Sequence, residues 1–266
     1  MGGHRKGSSS MNFREAVMLL LILAVLAAGA ALISMQILTD SAPGTPTPDQ
    51  GSDDPVLTES PHELGGAPSH RPAGSTIYGI QDHSATWGPG VLDITGDILI
   101  SPGVTITIAP GTTIRMATND EADLGVDPNR IEYMVAGTLK VNGPATFTSQ
   151  GAYPACGDWY GIRFLPDSSG YLKKAVVEWG VHAVQINTTK SLYIADSTLR
   201  MNCHRPENAD AWGAGLSIFA GNHHVERTQI FGNRVETTGW SNSAIGAGVW
   251  LASGSTLFQD CSIHSN

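Results

Sequence analysis

The sequence predicts an all-β solenoid, in which successive turns of the chain stack on one another. Two repeats support this prediction. Residues 213–218 (GAGLSI) return 33 residues later as 246–251 (GAGVWL), and residues 228–233 (TQIFGN) return 33 later as 261–266 (CSIHSN). A fixed period that carries short β-type runs is typical of units that bury their apolar side only against a neighbouring turn.

The basic turn is about 22 residues long. Residues 162–164 (IRF) return 22 later as 184–186 (VQI), and residues 175–180 (AVVEWG) return 22 later as 197–202 (STLRMN). Apolar residues alternate within these runs, which places one set of side chains on the same side of a strand. We therefore expect two strands per turn, with their apolar sides facing inward.

Small and turn-forming residues recur at the predicted corners. Asn202, Asn233 and Asn266 close three successive turns. Asn and Gly tolerate the left-handed backbone of tight bends, and a small side chain permits turns to stack about 4.8 Å apart. A second set of small residues shares one position just before the inward strand: Gly161, Ala183, Gly215 and Gly248.

The residues in excess of 22 are concentrated at one corner. The insertions 203–213 and 234–246 follow the closing asparagine, so we expect them to lie side by side, and residues 151–158 are expected on the same flank two turns earlier. Residues 119–130 are predicted to form a separate acidic loop. Insertions on one flank of a solenoid are the usual place for binding.

The N-terminal part is not repetitive. A basic segment (1–14) precedes an apolar segment (15–39) that contains 23 uncharged residues, enough to span a bilayer with the basic side in the cytoplasm. Residues 28–30 (AGA) also fit a signal-peptide cleavage site. The chain is thus expected to be anchored at the cell surface by a single pass, or alternatively secreted. Residues 40–74 are rich in proline and acids, and predict a disordered tether before the solenoid of 75–266.

Four segments of the solenoid resemble the opening turns of extracellular right-handed parallel β-helix repeat proteins of the pectin-lyase-like superfamily: residues 94–114 (ITGDILISPGVTITIAPGTTI), 136–143 (AGTLKVNG), 145–149 (ATFTS) and 158–164 (DWYGIRF). The resemblance covers residues 75–266 and implies a right-handed parallel β-helix. It leaves the activity open, because the family includes polysaccharide lyases, hydrolases, adhesins and surface-layer proteins. Members of this type are commonly parts of larger cell-surface proteins.

Catalysis on this fold requires acids or bases that converge on one face. The acids that neighbouring turns could bring together fall in the insertions. If the protein is an enzyme, Glu207, Asp210 and Glu236 would carry the chemistry. The predicted strands offer Arg163, Gln185 and Ser217 outward, and none of these is an acid. We therefore favour a protein without catalytic activity, with a carbohydrate-active enzyme (lyase or glycoside hydrolase) as the alternative.

Aromatic and basic residues are the better indication of function. Exposed rings stack on the apolar faces of sugars, and the candidates that fall in or beside the insertions are Trp212, Trp240, Trp250, Arg205 and Arg234. Trp159 and Trp179 are expected instead to cap the interior. The lack of a basic patch argues against nucleic acid, whereas the net charge of −9 comes mostly from the tether and loops and says nothing about a charged polymer ligand.

Two further sites are open to interpretation. Cys156 and Cys203 both lie in insertions of one flank and could form a disulfide, whereas Cys261 is expected to point inward. No metal site is expected, apart from a possible Ca²⁺ bound by acids of residues 119–130 whose spacing matches no known calcium loop: Asp120, Glu121, Asp123 and Asp127.

The sequence as a whole predicts a cell-surface β-helix that makes adhesive or carbohydrate-binding contacts with a glycan or another surface protein. A structural surface-layer or spacer element is a further alternative. Asn266 stands at the closing position of a turn with no cap after it. We expect either a piece of a longer solenoid, truncated at its C-terminus, or end-to-end self-association through the last turn.

Overall fold

The structure, a computed structural model, describes residues 76–207, 209–238 and 242–266, together with the backbone of 69–71. The predicted basic segment, apolar segment and nearly all of the predicted tether lie outside the described residues. Within the described part the chain forms 23 β-strands, of which 19 belong to one curled parallel sheet. The prediction of an all-β, solenoid-like repeat is therefore confirmed.

Each turn of the sheet contains three strands, one on each of three faces. Strands of successive turns pair in parallel on the same face, and each strand of the inner turns pairs with the turn before it and the turn after it. The third strand of each turn was not expected from the sequence. Paired residues are 22 apart in the shorter turns, as for Arg163 and Gln185, and 33 apart in the last turn, as for Asn233 and Asn266.

Face 1 contains β1 (Ser69–Arg71), β3 (Ala85–Trp87), β5 (Thr105–Ile108), the first halves of β8 (Thr138–Ser149) and β10 (Ser169–Glu178), β12 (Tyr193–Ala195), β17 (Asn222–Glu226) and β22 (Ser255–Gln259). Face 2 contains the start of β4 (Gly90–Ile100), β6 (Thr112–Met116), the second halves of β8 and β10, β13 (Thr198–Arg200), β18 (Gln229–Phe231) and β23 (Ser262–His264). Face 3 contains most of β2 (Thr76–Gln81), the end of β4, β7 (Glu132–Val135), β9 (Gly161–Phe164), β11 (Val184–Ile186), β16 (Leu216–Ile218) and β21 (Val249–Leu251).

All of the long insertions lie at the corner between faces 2 and 3, here called the insertion flank. In the two last insertions β14 (Cys203–His204) pairs with β19 (Arg234–Val235), and β15 (Ala211–Trp212) pairs with β20 (Ala244–Ile245). The expectation that these insertions lie side by side is confirmed. The acidic loop is not separate, because it joins β6 on face 2 to β7 on face 3 and so occupies the same flank.

The interior is a stack of aliphatic and aromatic side chains from all three faces. Ile162 and Phe164 are buried directly beside Val184 and Ile186 of the next turn, as the alternation predicted. Burial of each such side chain contributes roughly 1.5–3 kcal/mol. Trp159 is fully buried, and its Nε1–H donates to the Glu178 carbonyl at 2.9 Å, so this ring caps the interior as expected.

The closing asparagines form a continuous hydrogen-bonded row through three turns. Oδ1 of Asn233 accepts the backbone N–H and the side-chain amide of Asn202, at 3.2 and 2.9 Å. Oδ1 of Asn266 does the same for Asn233, at 3.1 and 2.9 Å. Asn202 and Asn233 are both buried, so these bonds satisfy backbone groups that water cannot reach.

Candidate functional site

An aromatic row runs along the insertion flank onto face 3. It consists of His204, Trp212, Trp250 and Phe219, and neighbouring ring centroids are 5.1, 5.7 and 5.2 Å apart. The His182 imidazole continues the row, with its centroid 4.4 Å from that of His204. Trp212 and Trp250 are only half-buried. The rings of the row therefore pack against one another, and part of the ring surface of Trp212 and Trp250 remains accessible.

Two elements hold the row in place. Trp250 lies in the middle of β21, between Val249, which packs against the core, and Leu251. Trp212 comes from the insertion and belongs to β15. Among the described residues, Trp212 Nε1 is a buried donor without a hydrogen-bond partner. A buried donor without a partner costs stability.

The outward column of face 3 behaves differently from the prediction. Arg163, Gln185, Ser217 and Trp250 are in register on successive strands, but Gln185 and Ser217 are buried. Ser217 donates its hydroxyl hydrogen to the Gly213 carbonyl at 2.8 Å. The insertion that carries Trp212 thus folds down over the strand and covers positions that would otherwise face solvent.

A shallow cavity of about 150 Å³ adjoins the aromatic row on face 3. Its polar lining comes from Arg163, Gln185 and Asn187, and its aromatic lining from Phe164 and Phe219. The Arg163 Nε donates to Gln185 Oε1 at 3.1 Å, which holds the guanidinium along the face. Hydrogen-bonding groups and an aromatic ring therefore meet at the same place.

Arg205, Arg234 and Glu236 form one cluster at the outer edge of the insertion flank. Both guanidinium groups pair with the Glu236 carboxylate, Arg205 through Oε2 and Arg234 through Oε1. The two arginines are more than half exposed, whereas Glu236 is one-quarter exposed. The cluster carries a net charge of +1, because its two guanidinium groups face the single carboxylate of Glu236.

The other two candidate acids have different surroundings. Asp210 Oδ1 accepts the backbone N–H of Ser243 at 2.7 Å, which ties the two last insertions together. Glu207 is exposed on its loop. Trp240, the remaining candidate for ligand binding, lies outside the described residues.

The two histidines of the row are neutral positioning groups. Burial, reinforced by repulsion from the His204 imidazole when that ring is protonated, lowers the pKa of His182 to about 3, and burial lowers the pKa of His204 as well. Because the Gly213 carbonyl only accepts, His182 Nδ1 carries the hydrogen of their 2.9 Å contact. His204 Nδ1 lies 2.9 and 3.0 Å from the carbonyl oxygen and the backbone nitrogen of Trp212. His182 thus holds the end of the insertion at Gly213, and His204 joins the two strands of that insertion, β14 and β15, to each other.

Two buried carboxylates were missed by the sequence reasoning. Asp97 accepts the backbone N–H groups of Leu124, Gly125 and Glu132, at 2.7, 2.6 and 2.5 Å. Its pKa is raised to about 6, mainly by burial. Glu132 accepts from Val126 and Asp127 at 2.6 and 2.9 Å and pairs with Arg163. An acid inside an otherwise apolar strand was the available signal, since Asp97 interrupts the run ITGDILI.

These contacts fasten the acidic loop over face 3. Asp120 accepts the backbone N–H groups of Asp97, Ala122 and Asp123, and Asp127 pairs with Arg130 at 2.7 Å. Glu121 and Asp123 are exposed. Across the described part of the chain, no group of three or more His, Cys, Asp or Glu side chains is placed to hold a metal ion.

The fold and the flank together define a class, namely a parallel-strand repeat protein with an aromatic row that is shared between an insertion and face 3. Comparison with protein-family models, curated proteins and solved structures finds no match for the chain. In the described residues there is also no helix of the length and apolarity needed to cross a membrane. The predicted apolar segment is not among them.

Proposed function

We propose that this chain is a cell-surface module that binds a polysaccharide or surface glycan through face 3 and the insertion flank, without catalysis. The observation that carries the proposal is the row formed by Trp212, Trp250 and Phe219. Indole and phenyl rings stack on the apolar faces of sugar rings. A half-buried row of such rings is suited to successive sugars of one polymer.

Polar groups beside the row supply the directional contacts that a glycan needs. Arg163 and Asn187 line the cavity that adjoins Phe219, and their side chains donate to hydroxyl or carboxylate oxygens. Farther out, the positive charge in excess at Arg205 and Arg234 favours acidic sugars over neutral ones. The flank thus offers a basic element in a chain whose net charge is −9.

We further propose that the coil is a right-handed parallel β-helix of the pectin-lyase-like type. Three parallel strands per turn, a buried asparagine row and insertions confined to one flank support it, together with the sequence resemblance. The location at a cell surface rests on the apolar residues 16–38 and on the tether of 40–74. Binding of Ca²⁺ by the acidic loop and end-to-end self-association are further proposals.

The absence of catalysis is proposed because two of the three candidate acids, Asp210 and Glu236, have structural partners, while Glu207 is exposed on its loop. Glu236 is paired with two arginines, and Asp210 is bonded to the neighbouring insertion. Asp97 and Glu132 accept several backbone hydrogens under the acidic loop. Glycoside hydrolysis requires two carboxyl groups that face the scissile bond across about 5–10 Å, whereas these carboxylates are engaged in contacts within the fold.

The proposal is tested by mixing the purified chain with a panel of uronate-containing and neutral polysaccharides. Retardation in affinity gels measures binding, and new reducing ends or unsaturated uronate ends measure cleavage. We expect retardation by at least one acidic polysaccharide, with no new ends. Cleavage of any polymer would establish the enzyme alternative, and no retardation across the panel would favour the spacer alternative.

A further inference from the structure

Two cysteines from different insertions meet at one cavity on the insertion flank. Cys156 is exposed and belongs to the insertion that follows β8, whereas Cys203 is buried and begins β14. Both line a cavity of about 370 Å³, together with Gly157, Val181 and His204. The cavity thus lies between loops that are two turns apart in the coil.

The backbone holds the two cysteines against the turn between them. The N–H groups of Gly157 and Cys203 both donate to the carbonyl oxygen of Gly180, at 3.2 and 2.8 Å. Gly157 also donates to the Trp179 carbonyl at 3.0 Å. A Cβ atom at Gly157 would lie 3.6 Å from the Cys203 carbonyl oxygen, which is ordinary contact distance. One peptide group therefore anchors both loops.

The side chains of these two cysteines also interact. Burial, followed by a side-chain hydrogen bond with Cys156, raises the pKa of Cys203 to about 12. Cys203 is accordingly a thiol at neutral pH, and Cys156 is the sulfur that solvent reaches. Since the thiolate is the nucleophile in disulfide exchange, accessible Cys156 is placed to react first with an external reagent.

We propose that Cys156 and Cys203 form a reversible dithiol–disulfide pair that clamps two insertions of the flank to each other. The bond would fix β14, whose His204 packs edge-on against Trp212. The clamp is independent of the glycan-binding proposal, because it follows from the cavity and its backbone anchors alone.

The oxidant is a small-molecule disulfide or the disulfide of a thiol oxidoreductase. The Cys156 thiolate attacks one sulfur of that disulfide, whose S–S bond breaks and releases one thiolate. Cys203 then loses its proton and attacks Sγ of Cys156 in the mixed disulfide, which releases the second thiolate. Two cysteine thiols are oxidised to one disulfide, the reagent is reduced to two thiols, and the two cysteine protons pass to the leaving sulfurs.

The test uses the full chain, which has three cysteines, equilibrated in mixtures of reduced and oxidised glutathione. Samples are quenched in acid, unfolded and labelled with a maleimide polymer that adds a fixed mass for each free thiol. We expect two thiols to disappear together, leaving one, and a non-reducing peptide map to join Cys156 to Cys203. Three free thiols in the most oxidising mixture, or a map that joins Cys261 to either partner, would overturn the proposal.

Two single variants sharpen the result. Cys156→Ser changes an exposed residue and should abolish the intramolecular bond without loss of the fold. Cys261→Ser, the matched control, should leave the midpoint of the transition unchanged. An intramolecular bond that persists in Cys156→Ser, or a midpoint that moves in Cys261→Ser, would each count against the assigned pair.

Discussion

Trp212 and Trp250 pack ring against ring with centroids 5.7 Å apart, although one belongs to an insertion and the other to a strand of the coil. Below them, Ser217 donates to Gly213 and fixes the insertion to face 3. The contact surface proposed for glycans therefore requires both the strand and the insertion, because each supplies one of the two rings.

The asparagine row should be a major source of stability. Asn233→Ala removes the acceptor for two donors of Asn202 and leaves buried backbone groups unsatisfied. We expect the free energy of unfolding to fall by about 2–4 kcal/mol, measured by denaturant titration. Asn129→Ala, an exposed residue of the acidic loop, is the control and should change it by less than about 0.5 kcal/mol. Equal losses in both variants would contradict a structural role for the row.

Position 161, the first residue of β9, should require glycine. Gly161 has φ of +137°, and a Cβ atom there would overlap the carbonyl oxygen of His182. We expect Gly161→Ala to destabilise the fold by more than about 2 kcal/mol. Ala183→Gly at the equivalent position of the next turn should cost only about 1 kcal/mol. The melting temperatures of the two variants measure these losses of stability. A Gly161→Ala protein as stable as the wild type would refute the close stacking of neighbouring turns at this position.

Acid should destabilise the fold through His182. Its pKa is about 3 in the folded protein and about 6.5 when unfolded, so between pH 6.5 and pH 3 the unfolded state binds up to one more proton. This histidine stabilises the fold fully above pH 6.5, and its contribution is lost as the pH falls towards 3, at up to about 1.4 kcal/mol per pH unit.

The variant His182→Asn tests this linkage because its amide retains a donor for the Gly213 carbonyl. Denaturant titrations from pH 7 to pH 4 should show a smaller slope of stability against pH than in the wild type. His83→Asn, at a side chain that is 88% exposed, should keep the wild-type slope. An unchanged slope in His182→Asn would show that other groups account for the acid sensitivity.

The acidic loop should depend on the carboxylate of Glu132. Glu132→Gln leaves Arg163 without its ionic partner and weakens the bonds to Val126 and Asp127. We expect a loss of about 3 kcal/mol and faster protease cleavage within residues 119–130. Asp123→Asn makes the same chemical change at an exposed position of the same loop, and should alter neither property. A loop equally resistant in both variants would rule out this anchor.

Much of the coil was predictable because its repeat is visible in the side chains. The period, the closing asparagines and the shared flank of the last insertions all follow from residue spacing, and the structure contains each of them. The face 1 strands of the later turns were missed because their alternation is concealed. In β17, His223 points into the fold where an aliphatic residue would be expected, and its ring is satisfied by Leu192 N–H and the Ala220 carbonyl.

The candidate site was less predictable because it depends on tertiary contacts. Trp212 and Trp250 could be selected by residue type and position, but Phe219 joins them only through packing. The burial of Gln185 and Ser217 was missed because it depends on how the insertion ending at Gly213 packs on face 3, which residue spacing does not show. Nor could residue spacing show that Glu236 is enclosed by Arg205 and Arg234.

The most direct test of the proposed glycan site is the dissociation constant of Trp250→Ala for the polysaccharide that the wild-type chain binds best. Loss of one stacking ring should raise it about tenfold or more. Phe231→Ala is the matched control, because Phe231 is a half-buried aromatic residue of face 2 that stacks on His264. The account predicts weakened binding in Trp250→Ala and wild-type binding in Phe231→Ala. Wild-type affinity in Trp250→Ala, with the fold intact by melting temperature, would contradict it.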